Sequence, residues 1–581
     1  MPNAFLGVSH SFSGRRWVAR AADARLAEAL AQRLGVPDQL ARALAGRGVG
    51  LDDAPTFLEP KLRALMPDPS RFRDMDAAVA RVARALTAGE RVAVFGDYDV
   101  DGATSSALLM RFARAVGQSW RLYIPDRLRE GYGPNPAAMR QLADEGARLV
   151  VCVDCGTLAF EALEAARAAG LEVIVLDHHA AEPALPPAVA VVNPNRIDEP
   201  LAASYGHLAA CGVTYLFLVA VNRALRNAGF YDGKTPPDLL ALLDLVALGT
   251  VCDVVPLTGL NRAFVAQGLK ILAGRGNAGL AALEAVAGVK GLPDAGTLGF
   301  VLGPRLNAGG RVGVSDWGAR LLASDDPAEA DELARFLNQM NVERQEVEAA
   351  VLAEAETRVD TTLPLLFMAG EGWHPGVIGI VASRLKEKYH RPAIVVGLDG
   401  AVGKGSGRSV AGLDLGAAVI AAKQAGLLVA GGGHKMAAGL TVERAKIDAL
   451  RVFLTERLAA AGEGPLTPTL TLDGLIAAPA ANAAFMEKLA ALQPFGTGNP
   501  EPRFAVPDCR LVNARVVGDK HVSVVATQGG ARLRAIAFRA MGSDLGPALL
   551  ACHEPCALAG KLRLDDWRGD GSVQLIIDDA G

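Results

Sequence analysis

The stretch VIVLDHHAAE, residues 173–182, carries an apolar run straight into Asp177, His178 and His179. An acid and two imidazoles at the end of a buried strand imply a ligand for them to face. The run begins as LEVIVLD, and two others share its form: RVAVFG ahead of Asp97, and LVVCVD ending in Asp154. RLYIPD reads as a further strand. Unbroken Val, Ile and Leu without polar alternation predicts strands covered on both faces, hence a mostly parallel sheet. ATSSALLMRFARAVG and LAFEALEAARAAG read as the helices between them. In open sheets of this kind, ligand sites form outside the carboxyl ends of the strands.

The acids gather at those ends. DYDVDG places Asp97, Asp99 and Asp101 just after one strand, and Asp154 and Asp177 close two more. Asp253, in LVALGTVCDVVPL, follows another long apolar stretch. A lone Asp in such a place is usually a helix N-cap. Several carboxylates converging on one cleft cannot all stay ionised without a cation. Oxygen ligands mixed with imidazole suit Mn²⁺ or Mg²⁺. The donors suffice for two ions, a recurrent arrangement for hydrolysing phosphate esters.

Outward from this core, residues 1–80 read as short helices, for example AADARLAEALAQRLG. Residues 207–228 and 236–275 look helical. DDPAEADELARFLNQMNVERQEVEAAVLAEAETRV, residues 325–359, predicts a long helix joining two domains. A second α/β pattern starts at LPLLFMAG and runs to about residue 460. It contains GKGSGRSV (403–410) and GGGHKMAAG (431–439). Glycines there admit backbone N–H groups close to phosphate, and His434 adds a donor; a tight turn before a helix is the plainer reading. Beyond LTPTLTLDG, short strands such as HVSVVAT, LRAIAF and CALAGKLRL predict a small β-barrel. The divisions expected are 1–80, 81–320, 321–360, 361–462 and 463–581.

The chain has 581 residues, enough for about three or four domains. A net charge of −4 gives no general attraction to nucleic acid, so any such binding needs local basic patches. Arg127 in PDRLREGYG, Arg305, Asn307 and Arg311 in GPRLNAGGR, and Ser406, Arg408 and Ser409 in GSGRS are candidates, since Arg suits bidentate phosphate recognition. Surface salt bridges are the alternative. In the barrel, Arg532, Arg534 and Arg539, then Lys561, Arg563 and Arg568, form clusters, with Trp567 the best base-stacking side chain. Seven sparse cysteines fit a reducing cytoplasm. Cys152 and Cys155 sit in an apolar strand and read as buried thiols rather than a zinc site; Cys552 and Cys556 form a second close pair. No apolar run approaches the roughly 18 residues of a membrane span, and MPNAFLGVSHSFSGRRWVAR lacks an apolar signal core.

DYDVDG, VDCGT, Asp177-His178-His179 and the isolated Asp253, in that order, resemble the DHH phosphoesterase superfamily. DYDVDG with IPDRLREGYG looks, within it, like the RecJ family of single-strand-specific 5′→3′ exonucleases, over roughly residues 45–581. The resemblance implies metal ligation by Asp99, Asp101, Asp154, His178 and Asp253, with Asp154 bridging two Mn²⁺ (or Mg²⁺) ions. It implies that Asp97 and Asp177 are ligands or supports of ligands, and that His179 faces the scissile phosphate. It also makes GGGHKMAAG part of a DHH-associated (DHHA1) domain and the barrel an oligonucleotide-binding (OB) one. A 5′-phosphate would be held by Arg127, Arg305 or Arg311, Ser406 and Arg408. The fold class expected is therefore α/β: a mostly parallel DHH domain, a second α/β domain joined by a long helix, and an OB-like barrel.

The function implied is removal of 5′-mononucleotides from single-stranded DNA in recombination and repair. The expected setting is a cytoplasmic monomer, with single-strand-binding protein and a RecQ-type helicase as partners and no membrane. An oligonucleotide or cyclic-dinucleotide phosphodiesterase would use the same metals without needing the barrel or the N-terminal segment. A noncatalytic DNA-binding scaffold would have lost metal carboxylates, and none is lost. An alanyl-tRNA-editing relative would explain GGGHKMAAG but not DYDVDG with Asp177-His178-His179.

Overall fold

The computed structural model describes residues 4–127, 129–461, 467–565 and 571–581. Trp567 and Arg568 lie outside the described residues. The chain divides into two compact units: residues 1–306, 316–334 and 469–581 form one, and residues 307–315 and 335–468 the other.

The first unit holds the parallel sheet. Its strands are β1 (Val92–Gly96), β2 (Arg121–Tyr123), β3 (Leu149–Val153), β4 (Glu172–Leu176) and β5 (Ala190–Val192). They stand in the order β2-β1-β3-β4-β5, every pair parallel. Every residue of β1 and β3 is buried, as their unbroken apolar character requires. The strand order reverses between β1 and β3, where a ligand crevice is expected. Helices α1 (Val100–Ala115) and α2 (Ala210–Asn227) pack against the sheet, and α3 (Leu243–Cys252) packs against both helices.

The helical reading of 236–275 needs correction. The chain breaks after Cys252 and resumes as a helix only at Gly259–Ala273. Asp253 caps α3, and Val254 takes φ 62°, a left-handed value that a β-branched residue seldom adopts. The purely helical reading of the N-terminal segment also fails. Arg16–Ala19 is a strand, paired in parallel with Thr469–Leu472. The buried Trp17 indole donates to Asp579 Oδ2 at 3.0 Å, and Leu30, Leu40 and Leu44 share a core with barrel residues Phe504, Val524 and Leu575.

Helices α4 (Gly303–Val312) and α5 (Pro327–Glu356) carry the chain between the units, α5 being the long helix expected. The second unit has β6 (Leu366–Glu371), β7 (Ala393–Asp399), β8 (Val402–Arg408), β9 (Ala430–His434) and β10 (Ala437–Glu443), ordered β9-β10-β8-β7-β6. GGGHKMAAG is thus not a turn before a helix. It is the hairpin of β9 and β10, with His434 opposite Ala437.

The barrel belongs to the first unit. Strands β11 (Phe504–Val517), β12 (His521–Gln528), β13 (Ala531–Ala537), β14 (Cys556–Leu564) and β15 (Val573–Ala580) run β11-β12-β13-β15-β14, and β11 pairs with β14 to close it. Its lead-in is pinned by Arg262, 1% exposed, which stacks on Phe57 and donates to the carbonyls of Phe57 and Gln493. Burial pushes that guanidinium down to about 10. Among the described residues, no helix is long and apolar enough to cross a membrane.

Candidate metal centre

Asp97, Asp154 and Asp177 follow directly from β1, β3 and β4, so strand register alone carries three acids to one edge. The first turn of α1 brings Asp99 and Asp101. Asp99 is its N-cap, with Oδ1 accepting from the amides of Asp101 (2.9 Å) and Gly102 (3.1 Å). The N-cap reading and the ligand reading are therefore compatible, because one oxygen caps and the other is left over. Gly102 is required sterically: a Cβ there would lie 2.3 Å from the Asp97 carbonyl oxygen.

Asp101 is 1% exposed. Its carboxylate accepts from the amides of Ala210 (2.6 Å) and Cys211 (2.9 Å), so the N-terminus of α2 compensates its charge. Asp154 takes φ 60°, a left-handed conformation of the kind that collects at functional sites. His178 Nε2 lies 3.3 Å from Asp154 Oδ1, 3.6 Å from Asp253 Oδ2 and 3.9 Å from Asp101 Oδ2.

The donors group into overlapping sets of three: Asp97, Asp99 and Asp154; Asp101, His178 and Asp253; Asp154, His178 and His179. Asp97 Oδ1, Asp154 Oδ1, His178 Nε2 and Asp253 Oδ2 are buried with no hydrogen-bond partner among the described residues. Buried polar atoms are rarely left unpaired. Burial and neighbouring carboxylates push Asp97 up to about 8 and Asp253 up to about 9, and raise Asp101 and Asp154. Bare carboxylates resist ionising together at this spot, and divalent cations would reverse that. The donor set fits Mn²⁺ or Mg²⁺.

Asp177 differs from the others. Its Oδ1 accepts from the amides of His178 and His179 and from His179 Nδ1, and its Oδ2 from the Thr157 amide. Although burial opposes it, these bonds hold Asp177 below the usual carboxylate range. Burial likewise opposes the His179 cation, yet the bond to Asp177 leaves that imidazole above its ordinary value.

Several residues at this site escaped the sequence reading. Tyr132 donates its hydroxyl to the Asp154 carbonyl at 3.1 Å and lies 3.2 Å from His179 Nδ1. Asn193 and Asn195, just past β5, donate to the carbonyls of His179 (2.8 Å) and His178 (2.5 Å). The strand-end argument, applied to one more strand, would have found them.

The candidate phosphate contacts divide between the units. In the first, Arg127 lies 4.9 Å above the Tyr98 ring, beside the DYDVDG turn, and Arg305 donates to Val301 O. In the second, Asn307 is partly buried on α4, and Arg311 Nη1 donates to Gly376 O at 2.8 Å. Arg408 donates to Ser406 Oγ at 3.0 Å and has no carboxylate partner among the described residues. His434 is exposed. Ser409 is 1% exposed and its hydroxyl donates to Leu413 O, so it serves the local fold. In the barrel, Arg534 lies 3.7 Å from Asp565, and Lys561 and Arg563 both pair with Glu501. Cys152 and Cys155 are wholly buried, with burial raising both thiols.

A parallel sheet with carboxylates and imidazoles at its switch point is the arrangement of a DHH phosphoesterase core, and residues 91–250 match the family model described as DHH family, N-terminal domain. Residues 361–460 match the DHHA1 domain, and residues 472–579 the RecJ OB domain. The chain is 38% identical over 564 residues to the single-stranded-DNA-specific exonuclease RecJ of Dickeya dadantii, covering 94% of this chain and 96% of that protein. Its identity to the RecJ of Escherichia coli is 37% over 576 residues, with 94% and 96% covered. The crystal structure of RecJ in complex with Mn²⁺ from Thermus thermophilus superposes with a TM-score of 0.82 at 31% identity, covering 97% of this chain and 79% of that one. The chain belongs to the RecJ family of single-stranded-DNA-specific exonucleases.

Proposed function

We propose that the chain is a divalent-metal-dependent exonuclease that shortens single-stranded DNA from its 5′ end, releasing 5′-mononucleotides in recombination and repair. The observation that carries the chemistry is the set of unpartnered buried atoms on Asp97, Asp154, His178 and Asp253. Crystal structures of family members hold Mn²⁺ or Mg²⁺, and we assign the same ions here, with Mn²⁺ favoured.

Asp99, Asp101, Asp154, His178 and Asp253 would hold two ions, Asp154 belonging to two of the three donor groups. Asp97 joins the ligands, because its Oδ1 is unpartnered within a three-donor group. Asp177 does not, because both its oxygens are bonded. Bound divalent ions supply Lewis acidity and a nucleophile at neutral pH. The chain's own part is positioning. Asp177 and Tyr132 orient His179, whose imidazole is placed to donate to a phosphate oxygen as charge develops. The proposed contacts for the 5′-phosphate and nearby backbone are Arg127 and Arg305 in the first unit and Arg311, Ser406 and Arg408 in the second, with Asn307 and His434 as further candidates in the second. Water adds to phosphorus, and the P–O3′ bond to the terminal nucleotide breaks. The shortened strand keeps a new 5′-phosphate, ready for the same contacts.

The proposed setting is the cytoplasm, as a monomer acting with single-strand-binding protein and a RecQ-type helicase. The test is digestion of end-labelled DNA in Mn²⁺, with Asp154→Ala as control. Stepwise loss from the 5′ end of single strands, absent in the variant, is expected. Activity confined to di- to pentanucleotides would overturn the reading, as would binding without cleavage in either metal.

A further inference from the structure

Phe300 is 86% exposed, more than any other Phe, Tyr or Trp among the described residues. It belongs to a π-helical turn, Thr297–Leu302, that runs directly into α4 and Arg305. Turns of this kind are rare and collect at functional sites. Beside Phe300 opens a cavity of about 550 Å³. Its walls include Val251, Cys252 and Val254 from around Asp253, and Phe495 from the barrel lead-in. Cys252 directly precedes Asp253, which groups with Asp101 and His178, so this wall adjoins the carboxylate cluster. On the barrel side, Lys561 and Arg563 line the cavity and share a single carboxylate, Glu501.

An apolar slot with an aromatic lip, next to a metal-type cluster and with Lys561 and Arg563 grouped on its barrel side, away in sequence from the acid Asp294 beside the turn, matches one unpaired nucleotide. The base finds an apolar slot and a ring to stack on, and the phosphate finds cations. We propose that this cavity receives an unpaired base of the substrate strand, stacked on Phe300, with Lys561 and Arg563 facing the adjoining phosphate. A base inside a duplex is stacked on both faces and paired at its edge, so it cannot enter; the slot then contributes to strand selectivity. This inference rests on the nuclease reading of the same site.

The test uses the full chain in Mn²⁺ and 5′-phosphorylated single strands with non-hydrolysable linkages. 2-Aminopurine is placed at successive positions. Stacking on Phe300 is expected to quench one or two neighbouring positions, with the quench lost in Phe300→Ala and kept in Phe300→Trp. On cleavable strands KM should rise roughly 5- to 150-fold in Phe300→Ala, the worth of one stacked base, with kcat changing far less. Lys561→Ala, on the barrel side of the cavity, should raise KM more weakly and in a salt-dependent way. Cleavage by the wild-type chain with no position-dependent quench would overturn the slot and leave the nuclease reading standing. A position-specific quench in a chain that cuts no single strand would keep the slot and sink the nuclease reading. Equal quenching in wild type and Phe300→Ala, with the variant folded by circular dichroism, would also overturn it.

Discussion

Asp177 Oδ1 lies 2.7 Å from His179 Nδ1 and accepts the amides of His178 and His179 as well. One carboxylate oxygen thus fixes the ring and the backbone of the motif it belongs to. Asp177→Asn should lower kcat about 10- to 100-fold, the usual cost of removing a group that orients an active-site imidazole. Mn²⁺ affinity should change little. Calorimetric titration beside turnover decides the matter: a loss of Mn²⁺ binding as deep as that of Asp154→Ala would put Asp177 on the ion.

The raised carboxylates make the ion-free protein pay for its own site. Adding Mn²⁺ at a hundred times its dissociation constant should stabilise the fold by about 2.7 kcal/mol. Asp154→Asn removes a buried charge from the middle of the cluster, so its ion-free form should melt no lower than the wild type. It should gain almost nothing from Mn²⁺. Thermal melts with and without chelator give both numbers. A variant that melts well below the wild type without metal would contradict the electrostatic account.

Gly249 on α3 is a packing constraint on the centre. A Cβ there would lie 2.4 Å from Thr104 Oγ1, 2.6 Å from Cys211 Sγ and 3.0 Å from Asp101 Oδ1. Gly249→Ala should cost about 1–3 kcal/mol by overpacking and weaken Mn²⁺ binding by displacing Asp101. Urea denaturation and metal titration measure the two effects. Unchanged metal affinity would show that the overlap relaxes away from Asp101.

Asp244, 2% exposed, is raised from 3.8 to about 6 by burial. Below about pH 4 it is neutral folded or unfolded, and its pH-dependent penalty is absent. As pH rises through about 6, the folded state must carry the buried charge and that stability is lost. Asp244→Asn keeps an acceptor for the Leu245 amide. It should stabilise by about 2–3 kcal/mol at pH 7.5, with the gain vanishing near pH 4. A gain independent of pH would point to packing instead.

The strands were legible because burial on both faces leaves a local mark, and an Asp or His at the end of such a run marks the crevice. VIVLDHH, LVVCVD and RVAVFGDYD needed no partner to be read. The difference between Asp97 and Asp177 was not legible. Both follow a buried strand, but one keeps an unpartnered oxygen while the other is saturated by Thr157 and His179. The charge compensation of Asp101 comes from a helix N-terminus 109 residues away. The strand at Arg16–Ala19 exists because Thr469–Leu472 lies beside it.

By itself, then, the sequence determined the parallel sheet, the line of acids along its edge, the second α/β domain and the barrel. All of these rest on periodicity and on residue types that act locally. Only the tertiary structure decided which buried acids keep an unpartnered oxygen and which are saturated by a neighbour, and that Phe300 stands beside a cavity shared with the barrel. Those outcomes depend on which distant groups arrive to satisfy or abandon a polar atom, and no local pattern records the partner.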